Sequence, residues 1–383
     1  MDSQDANVIA NARIVLADGV IENGWLALEK GVIREVGEGK PPERGHDCGG
    51  DTLIPGLVEL HTDHLESHYS PRPKVRWNAT AAVMAYDAQI AAAGITTVFD
   101  SLRAGTDADS ASLGDDLLVL ADAVDEARRA GVLRIEHRTH LRCELSSEDV
   151  LEQTEAFVAA RPVHLISLMD HTPGQRQFTS IEAWKNFYQR RGAKTEAELD
   201  IFIARRVSAR DRFADIHRRR LVALAGEQGA VLASHDDADE THVAESAADG
   251  VRVAEFPTTM VAARATHEAG VAVMMGAPNV IRGGSHSGNV AASELAREGL
   301  LDILSSDYVP ASLLMAAFDL PRRAPGITLP QAIRTVTLNP ARATGLDDRG
   351  EIAVAKRADL VRVGFLGETP YAREVYKDGR RVS

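Results

Sequence analysis

Two rhythms of apolar residues alternate through most of this chain. Short runs rich in Val, Ile and Leu are bounded by turn residues, and between them lie Ala-rich stretches that favour helix. The short runs predict strands over Leu53–Leu60, Ile95–Phe99, Leu133–His140, Val163–Met169, Ala230–Ser234, Arg252–Phe256, Val271–Met275 and Leu301–Leu304. The Ala-rich stretches predict helices over Ala79–Ala93, Asp115–Ala130, Ser147–Ala160, Glu240–Ala248, Met260–Ala269 and Val290–Glu298. Gly94, Gly131, Gly250, Gly270 and Gly299 stand between a helix and the next strand, where a glycine can adopt the left-handed conformation that stops a helix. Eight strands separated by helices fit an α/β fold of the (β/α)8 TIM-barrel type better than an open doubly wound sheet.

The chain ends break this alternation. "NVIANARIVLADGVIENGWLALEKGVIREVGEG" reads as short strands joined by "DG" and "NG" turns, and "GEIAVAKRADLVRV" and "AREVYKDGRRVS" share that character. Residues 1–52 and 346–383 are therefore expected to build one small β-sandwich domain, with residues 53–345 forming the barrel. Between the fourth and fifth strands an insert over about 172–229 reads as mainly helical and is rich in Arg and Lys. It predicts either a solvated basic helix face or a lid that faces an anion.

Composition narrows the partners. The 383 residues are 44% apolar and 26% charged, ordinary for a globular protein large enough for a sizeable core. No uninterrupted apolar run approaches the roughly 18 residues of a membrane span. The start "MDSQDANVIA" lacks the basic and apolar regions of a secretory leader, and Cys48 and Cys143 offer no disulfide framework, so a cytoplasmic location is expected. A net charge of −13 argues against nucleic acid and membrane surfaces as partners, but leaves open a small anion attracted by a local cluster or a metal.

The chemistry gathers at strand ends. In "GLVELHTDHLES" a buried strand finishes on His61 and Asp63, with His64 and Glu66 following. Burying such groups costs several kcal/mol each unless they are paired or bound to a metal. Side chains two apart in a strand share a face, so His61 and Asp63 can grip one ion. Active sites of such barrels lie at the C-terminal ends of the strands. Those ends carry His140 and Glu144 (third strand), Asp170 and His171 (fourth), His235, Asp236 and Asp237 (fifth), and Asp307 (eighth). Converging His and carboxylate groups predict two divalent metal ions, zinc first and manganese or iron as alternatives. Glu144 could bridge them or form a structural ion pair, His171 and His235 could complete a second site, and Asp307 could bind metal and shuttle a proton. His64 and Glu66 are read as supporting the ligands or facing solvent, His137 and His164 as core histidines, and Cys143 as packing. Three cation-bearing stretches suit an anionic substrate. "SPRPKVRWN" carries Arg72, Lys74 and Arg76, "DHTPGQRQF" sets Arg176 near His171, and "GAPNVIRGGSHSGN" carries Arg282, Gly283, Gly284, Ser285, His286 and Ser287. In the last, consecutive glycine N–H groups could form an anion nest, though such a loop is often only a loop.

These residues carry a resemblance. "LIPGLVELHTD", the "SDY" aspartate and the tail "LNPARATGL…GEIAVAKRADLV" resemble the amidohydrolase superfamily. Within it, "HTDHLESHYSPRPKVRW", "EHRTHLRCEL", "SLMDHTPGQRQF", "ASHDDADETHVAES", "AEFPTT", "MGAPNVIRGGSHSGNVAASELA" and "LSSDYVPASLL" are similar to the ribose 1-methylphosphonate 5-triphosphate diphosphatase family of phosphonate metabolism, over about Asn11 to Val382. The resemblance implies a binuclear metal hydrolase that releases pyrophosphate from a phosphorylated ribose phosphonate, upstream of a carbon–phosphorus lyase. It implies His61, Asp63, Glu144, His171, His235 and Asp307 as ligands, and Arg72, Lys74, Arg76, His140, Arg176 and the 282–287 loop as substrate groups. Homo-oligomerisation and association with other proteins of that pathway are compatible with it. Two features depart from the superfamily: Asp63 stands where a second His is usual, and strand six ends in "EFPTT" without His. The competing readings are hydrolysis of a C–N bond on the same metal site and a metal-bearing scaffold that binds other proteins of that pathway without turnover.

Overall fold

A computed structural model describes residues 8–72, 75–106, 116–176, 181, 185, 195–285 and 288–383. The strands are β1 Val8–Val15, β2 Val20–Glu29, β3 Val32–Glu38, β4 His46–Asp47, β5 Thr52–Pro55, β6 Leu57–Thr62, β7 Ile95–Ala104, β8 Glu136–Glu144, β9 Leu165–Met169, β10 Val231–His235, β11 Val253–Glu255, β12 Ala272–Gly276, β13 Ile303–Ser305, β14 Leu360–Leu366, β15 Thr369–Lys377 and β16 Arg380–Arg381. The helices that matter below are α1 His64–Tyr69, α2 Ala79–Ala92, α3 Asp116–Arg129, α4 Val150–Ala160, α5 Glu196–Gln228, α6 Glu240–Ala248, α7 Met260–Glu268 and α8 Ala277–Arg282.

β6 to β13 form one eight-stranded sheet in sequence order. Its two ends meet: Thr62 bridges Asp307 in parallel register, the Asp307 N–H donates to the His61 carbonyl at 3.1 Å, and the Asp63 N–H donates to the Asp307 carbonyl at 3.1 Å. The sheet is thus a closed barrel, and every residue of β6 is buried, as a strand covered on both faces requires. The chain divides into two compact units, one of Met1–Asp100, Ala123–Arg138 and Met275–Ser383, the other of Ser101–Asp122 and Thr139–Met274.

The chain ends form a second eight-stranded sheet, ordered β16-β15-β14-β5-β1-β2-β3 with β4 on β1. Ile9, Ile14, Leu26, Ile33, Leu53 and Leu360 close its core at 0% exposure; each such side chain contributes about 1.5–3 kcal/mol on burial. This sheet corrects one expectation. The run Leu53–Leu60 is two strands in two sheets: β5 pairs with β1 and β14, while β6 pairs with β7. Gly56 makes the break. Its N–H donates to the Asp359 carbonyl at 2.8 Å, and a Cβ there would lie 2.2 Å from Thr96 Oγ1. A continuous apolar run gives no sign of such a break, because both halves are fully buried.

Much of the expected insert, residues 177–194, lies largely outside the described residues. Its remainder is α5, started by a reciprocal capping box between Thr195 and Glu198 and ended by Gly229 at φ 64°. Several of its cations are committed: Arg210 to Asp170 at 2.6 Å, Arg218 to Asp249 at 2.5 Å and Arg220 to Glu155 at 2.9 Å. Among the described residues, no helix is long and apolar enough to cross a membrane.

Candidate active site

In the first unit, β6 carries Glu59 and His61 on one face, both buried. Asp63 occupies the N-cap of α1, but its side chain makes no capping bond, so the carboxylate is not spent on the helix. Asp307 lies two residues past β13 at φ 53°. A non-glycine residue in that region costs on the order of 1–3 kcal/mol, a strain that proteins tend to hold at working sites. His61, Asp63 and Asp307 each present a ligand atom, and these lie within 4.8 Å of one another. Such a spread suits one cation with metal–ligand bonds of about 2.0–2.2 Å. Beneath them, Glu59 accepts the His61 N–H at 2.7 Å on one oxygen and the Ser306 N–H at 2.6 Å on the other. Burial pushes the Glu59 carboxyl up to about 7, against the opposing effect of these bonds.

In the second unit the imidazoles themselves are held. His171 Nδ1 bonds Glu144 Oε2 at 2.6 Å, and His235 Nδ1 bonds Glu255 Oε2 at 3.0 Å. With Nδ1 occupied, each ring turns Nε2 toward Asp236 Oδ2, at 3.9 Å from His171 and 3.5 Å from His235. Among the described residues that buried oxygen has no hydrogen-bond partner, and Asp236 sits at φ 57° directly after β10. A buried carboxylate oxygen without a hydrogen bond is costly. Two imidazole nitrogens aimed at it, each backed by a carboxylate on the far side of its ring, form the donor set of a divalent cation. The residues therefore fit a metal. Glu144 is fully enclosed; burial pushes its carboxyl up, but the His171 charge and hydrogen bond outweigh this and hold it well below the usual range. Its other oxygen accepts from Ser146 Oγ at 2.8 Å and the His171 N–H at 3.1 Å, which places it behind His171.

The remaining predicted residues fall in different surroundings. His140 is fully buried with both ring nitrogens bonded, to Ser101 Oγ at 3.1 Å and Ser167 Oγ at 2.6 Å. Arg176 is buried against Asp237 and 3.2 Å from Glu245, so its charge is committed within the second unit. Arg72 is exposed, and Arg76 donates to Ser70 Oγ at 2.9 Å and lies over the Tyr69 ring. Arg282 is exposed at the end of α8. The anion nest expected at Gly283 and Gly284 does not form: their N–H groups bond the Val280 and Asn279 carbonyls at 3.2 and 2.9 Å. The reason is that "APNVIR" is helical, and these glycines cap it. Ser285 follows the cap, half-buried. Lys74, His286 and Ser287 lie outside the described residues. His64 and His68 share the Gln89 Oε1 acceptor at 3.1 and 2.7 Å, and His164 Nδ1 accepts the Thr139 N–H at 3.1 Å. Burial pushes the Cys143 thiol up to about 12, in keeping with packing.

Two carboxylates escaped the sequence reading. Glu59 lies two residues before His61 inside an apolar run, and Glu255 ends the strand whose missing His was noted. An ionisable residue at an inward position of a core strand was the available signal for both.

The amidohydrolase family profile matches residues 91–382, and the chain belongs to that family. With it, the protein is a hydrolase. The α-D-ribose 1-methylphosphonate 5-triphosphate diphosphatase of Escherichia coli (strain K12) is 46% identical, over 98% of this chain and 100% of that protein. The imidazolonepropionase of Sphingopyxis alaskensis is 27% identical, over 89% of this chain and 86% of that one. Among solved structures, the N-acetyl-D-glucosamine-6-phosphate deacetylase of Mycobacterium smegmatis superimposes with a TM-score of 0.64 at 18% identity, covering 98% of this chain and 99% of that chain. This last likeness shows the fold.

Proposed function

We propose that the protein hydrolyses α-D-ribose 1-methylphosphonate 5-triphosphate to the corresponding 5-phosphate and pyrophosphate, a cytoplasmic step that prepares the substrate of a carbon–phosphorus lyase. The observation that carries this reading is the end-to-end match, at 46% identity, to the Escherichia coli diphosphatase. One phosphoanhydride P–O bond breaks, water oxygen forms the new one, and the bridging oxygen leaves with one of the two products.

We assign His61, Asp63 and Asp307 to one divalent ion, and His171, His235 and Asp236 to a second, zinc being the first choice for such mixed donors. Bound ions would supply Lewis acidity and lower the pKa of a water. Glu144, read from sequence as a bridge, instead fixes the His171 ring. Asp307 takes the proton of the attacking water and returns it to the leaving oxygen. Its strained backbone holds the carboxylate at the barrel rim, where that exchange happens. Arg72, Lys74 and Arg76 attract one anionic end of the substrate, and the Arg282–Ser287 segment the other. His140 and Arg176, with their polar atoms committed internally, leave this role and support the site from behind.

The test is pyrophosphate release from ribose 5-triphosphate carrying a C1 methylphosphonate, with metal-reconstituted protein and an Asp307→Asn control. Release that disappears in the control supports the reading. A protein that binds two metals yet releases nothing sinks it, and points to C–N hydrolysis of the kind named for the imidazolonepropionase relative.

A further inference from the structure

Glu59 sits in the seam where the barrel closes, and it touches both strands of that seam. We infer that Glu59 is a positioning residue: by holding the main chain under His61 and under Asp307 with one carboxylate, it sets the spacing of the two side chains that bind a cation. This inference rests on the metal assignment of the His61 group made above.

The geometry is specific. Oε1 accepts the N–H of His61 itself, and Oε2 accepts the N–H of Ser306, the residue directly before Asp307. The two strands are also joined directly, through the Asp307 N–H to the His61 carbonyl and the Asp63 N–H to the Asp307 carbonyl, each 3.1 Å. Those two bonds fix the height of the strands relative to each other. They orient the peptide planes on either side of Asp307, which sits at φ 53°, but not the planes before Ser306 and before His61. The carboxylate supplies that constraint. A neutral or apolar residue at an inward strand position would serve packing equally well. A fully buried carboxylate whose two oxygens each take a main-chain N–H has a reason to be there beyond packing. Residues that orient ligands from behind typically change metal affinity or activity by about 10–100-fold when altered.

Glu59→Gln separates positioning from mere support. Glutamine has nearly the same shape, but one end now presents N–H to a main-chain N–H, so one of the two bonds is lost. The first readout is zinc affinity of the metal-stripped protein against a chelator-buffered series, together with the melting temperature of the metal-free form. The expected result is one of the two zinc affinities reduced by about 10-fold or more. The metal-free melting temperature should change little. In the loaded enzyme kcat should fall while KM stays within about threefold. Unchanged zinc affinity overturns the inference, whether or not the variant melts earlier. If the Gln variant does not fold, Glu59→Asp keeps the charge but shortens the reach, and is read the same way: weakened zinc binding supports positioning, and wild-type binding overturns it. Because zinc binding is read without substrate, a protein that releases no pyrophosphate would overturn the proposed function and leave this inference standing.

Discussion

The two proposed ligand groups solve one problem by different means. In the first unit the main chain is fixed: Glu59 takes the N–H groups of His61 and Ser306, and strain at Asp307 is held by its main-chain bonds with His61 and Asp63. In the second unit the side chains are fixed, with Glu144 and Glu255 each holding one imidazole by its Nδ1. The difference follows from chain position. His61 lies in β6, and Asp307, just past β13, is bonded to it through the main chain, so controlling the backbone controls them both. His171 lies on the connection after β9, where no strand ladder fixes its ring, and a carboxylate partner must do so. Mutations at corresponding supports should therefore fail differently, and that is how the comparison can be broken.

The largest effect is expected at Asp236, whose Oδ2 faces both imidazoles and lacks a hydrogen bond among the described residues. Asp236→Ala should remove one equivalent of bound metal at a concentration that saturates the wild type. It should lower kcat/KM by roughly 10³-fold, the several kcal/mol that Lewis-acid stabilisation supplies. Metal analysis after equilibrium dialysis checks it. Two equivalents retained would mean that Asp236 is not a ligand, and the second unit's group would then lack a carboxylate.

How much of this was legible beforehand depends on the kind of signal. The barrel alternation and most helix limits were open to view, because periodicity and glycine stops are local; α2 and α6 begin and end within one residue of expectation. Histidines at strand ends were legible because they interrupt apolar runs. The break at Gly56 was not, since its cause is Thr96, some distance along the chain. Nor was the partner of each ring nitrogen. Glu255 lies twenty residues from His235, and only strand pairing brings them together. The same holds for Arg176: its charge pointed to an anion, but the fold places Asp237 and Glu245 against it.

A smaller effect should follow from loosening a ring instead of removing a ligand. Glu144→Gln keeps the shape but replaces a charged acceptor of the His171 Nδ1–H by a neutral one. It should weaken metal binding by about 10–100-fold, with the same stoichiometry at saturation. Stoichiometry that drops to one even at saturation would show that Glu144 ligates directly, and the contrast between the two groups would lose its second half.

Beyond the proposed metal ligands the first unit holds a buried ion network with a pH signature. His137 is fully enclosed between Asp100, at 2.9 Å from Nδ1, and Asp87, at 3.3 Å from Nε2. Burial depresses its pKa, but the two carboxylates outweigh this and push it up to about 9. With the folded value above the unfolded value of 6.5, its contribution to stability is fully present below about 6.5 and is lost as pH rises through about 9. Melting temperature should therefore decline between about pH 7 and about pH 10, and His137→Gln, less stable at pH 7, should show a flatter profile across that window. Parallel profiles for the two proteins would place the proton elsewhere in the network.

The smallest effect concerns the cations that remain available to a ligand. Arg176 in the second unit is buried against carboxylates, whereas Arg72 in the first is exposed nine residues past Asp63. An exposed charge acts through solvent and is screened over about 10 Å at 0.1 M salt, so Arg72→Ala should raise KM only a few-fold, with kcat nearly unchanged. The increase should shrink as salt is added, because the wild type loses the same attraction. Arg176→Ala should behave in the opposite way. It strands the buried Asp237 carboxylate, an error of about 3–5 kcal/mol, so the loss appears in the melting temperature and persists at high salt. A salt-insensitive KM change at Arg72 would mean that its guanidinium is desolvated in the substrate complex. The first unit would then grip the anion directly, as it is proposed to grip the metal, instead of only drawing it in.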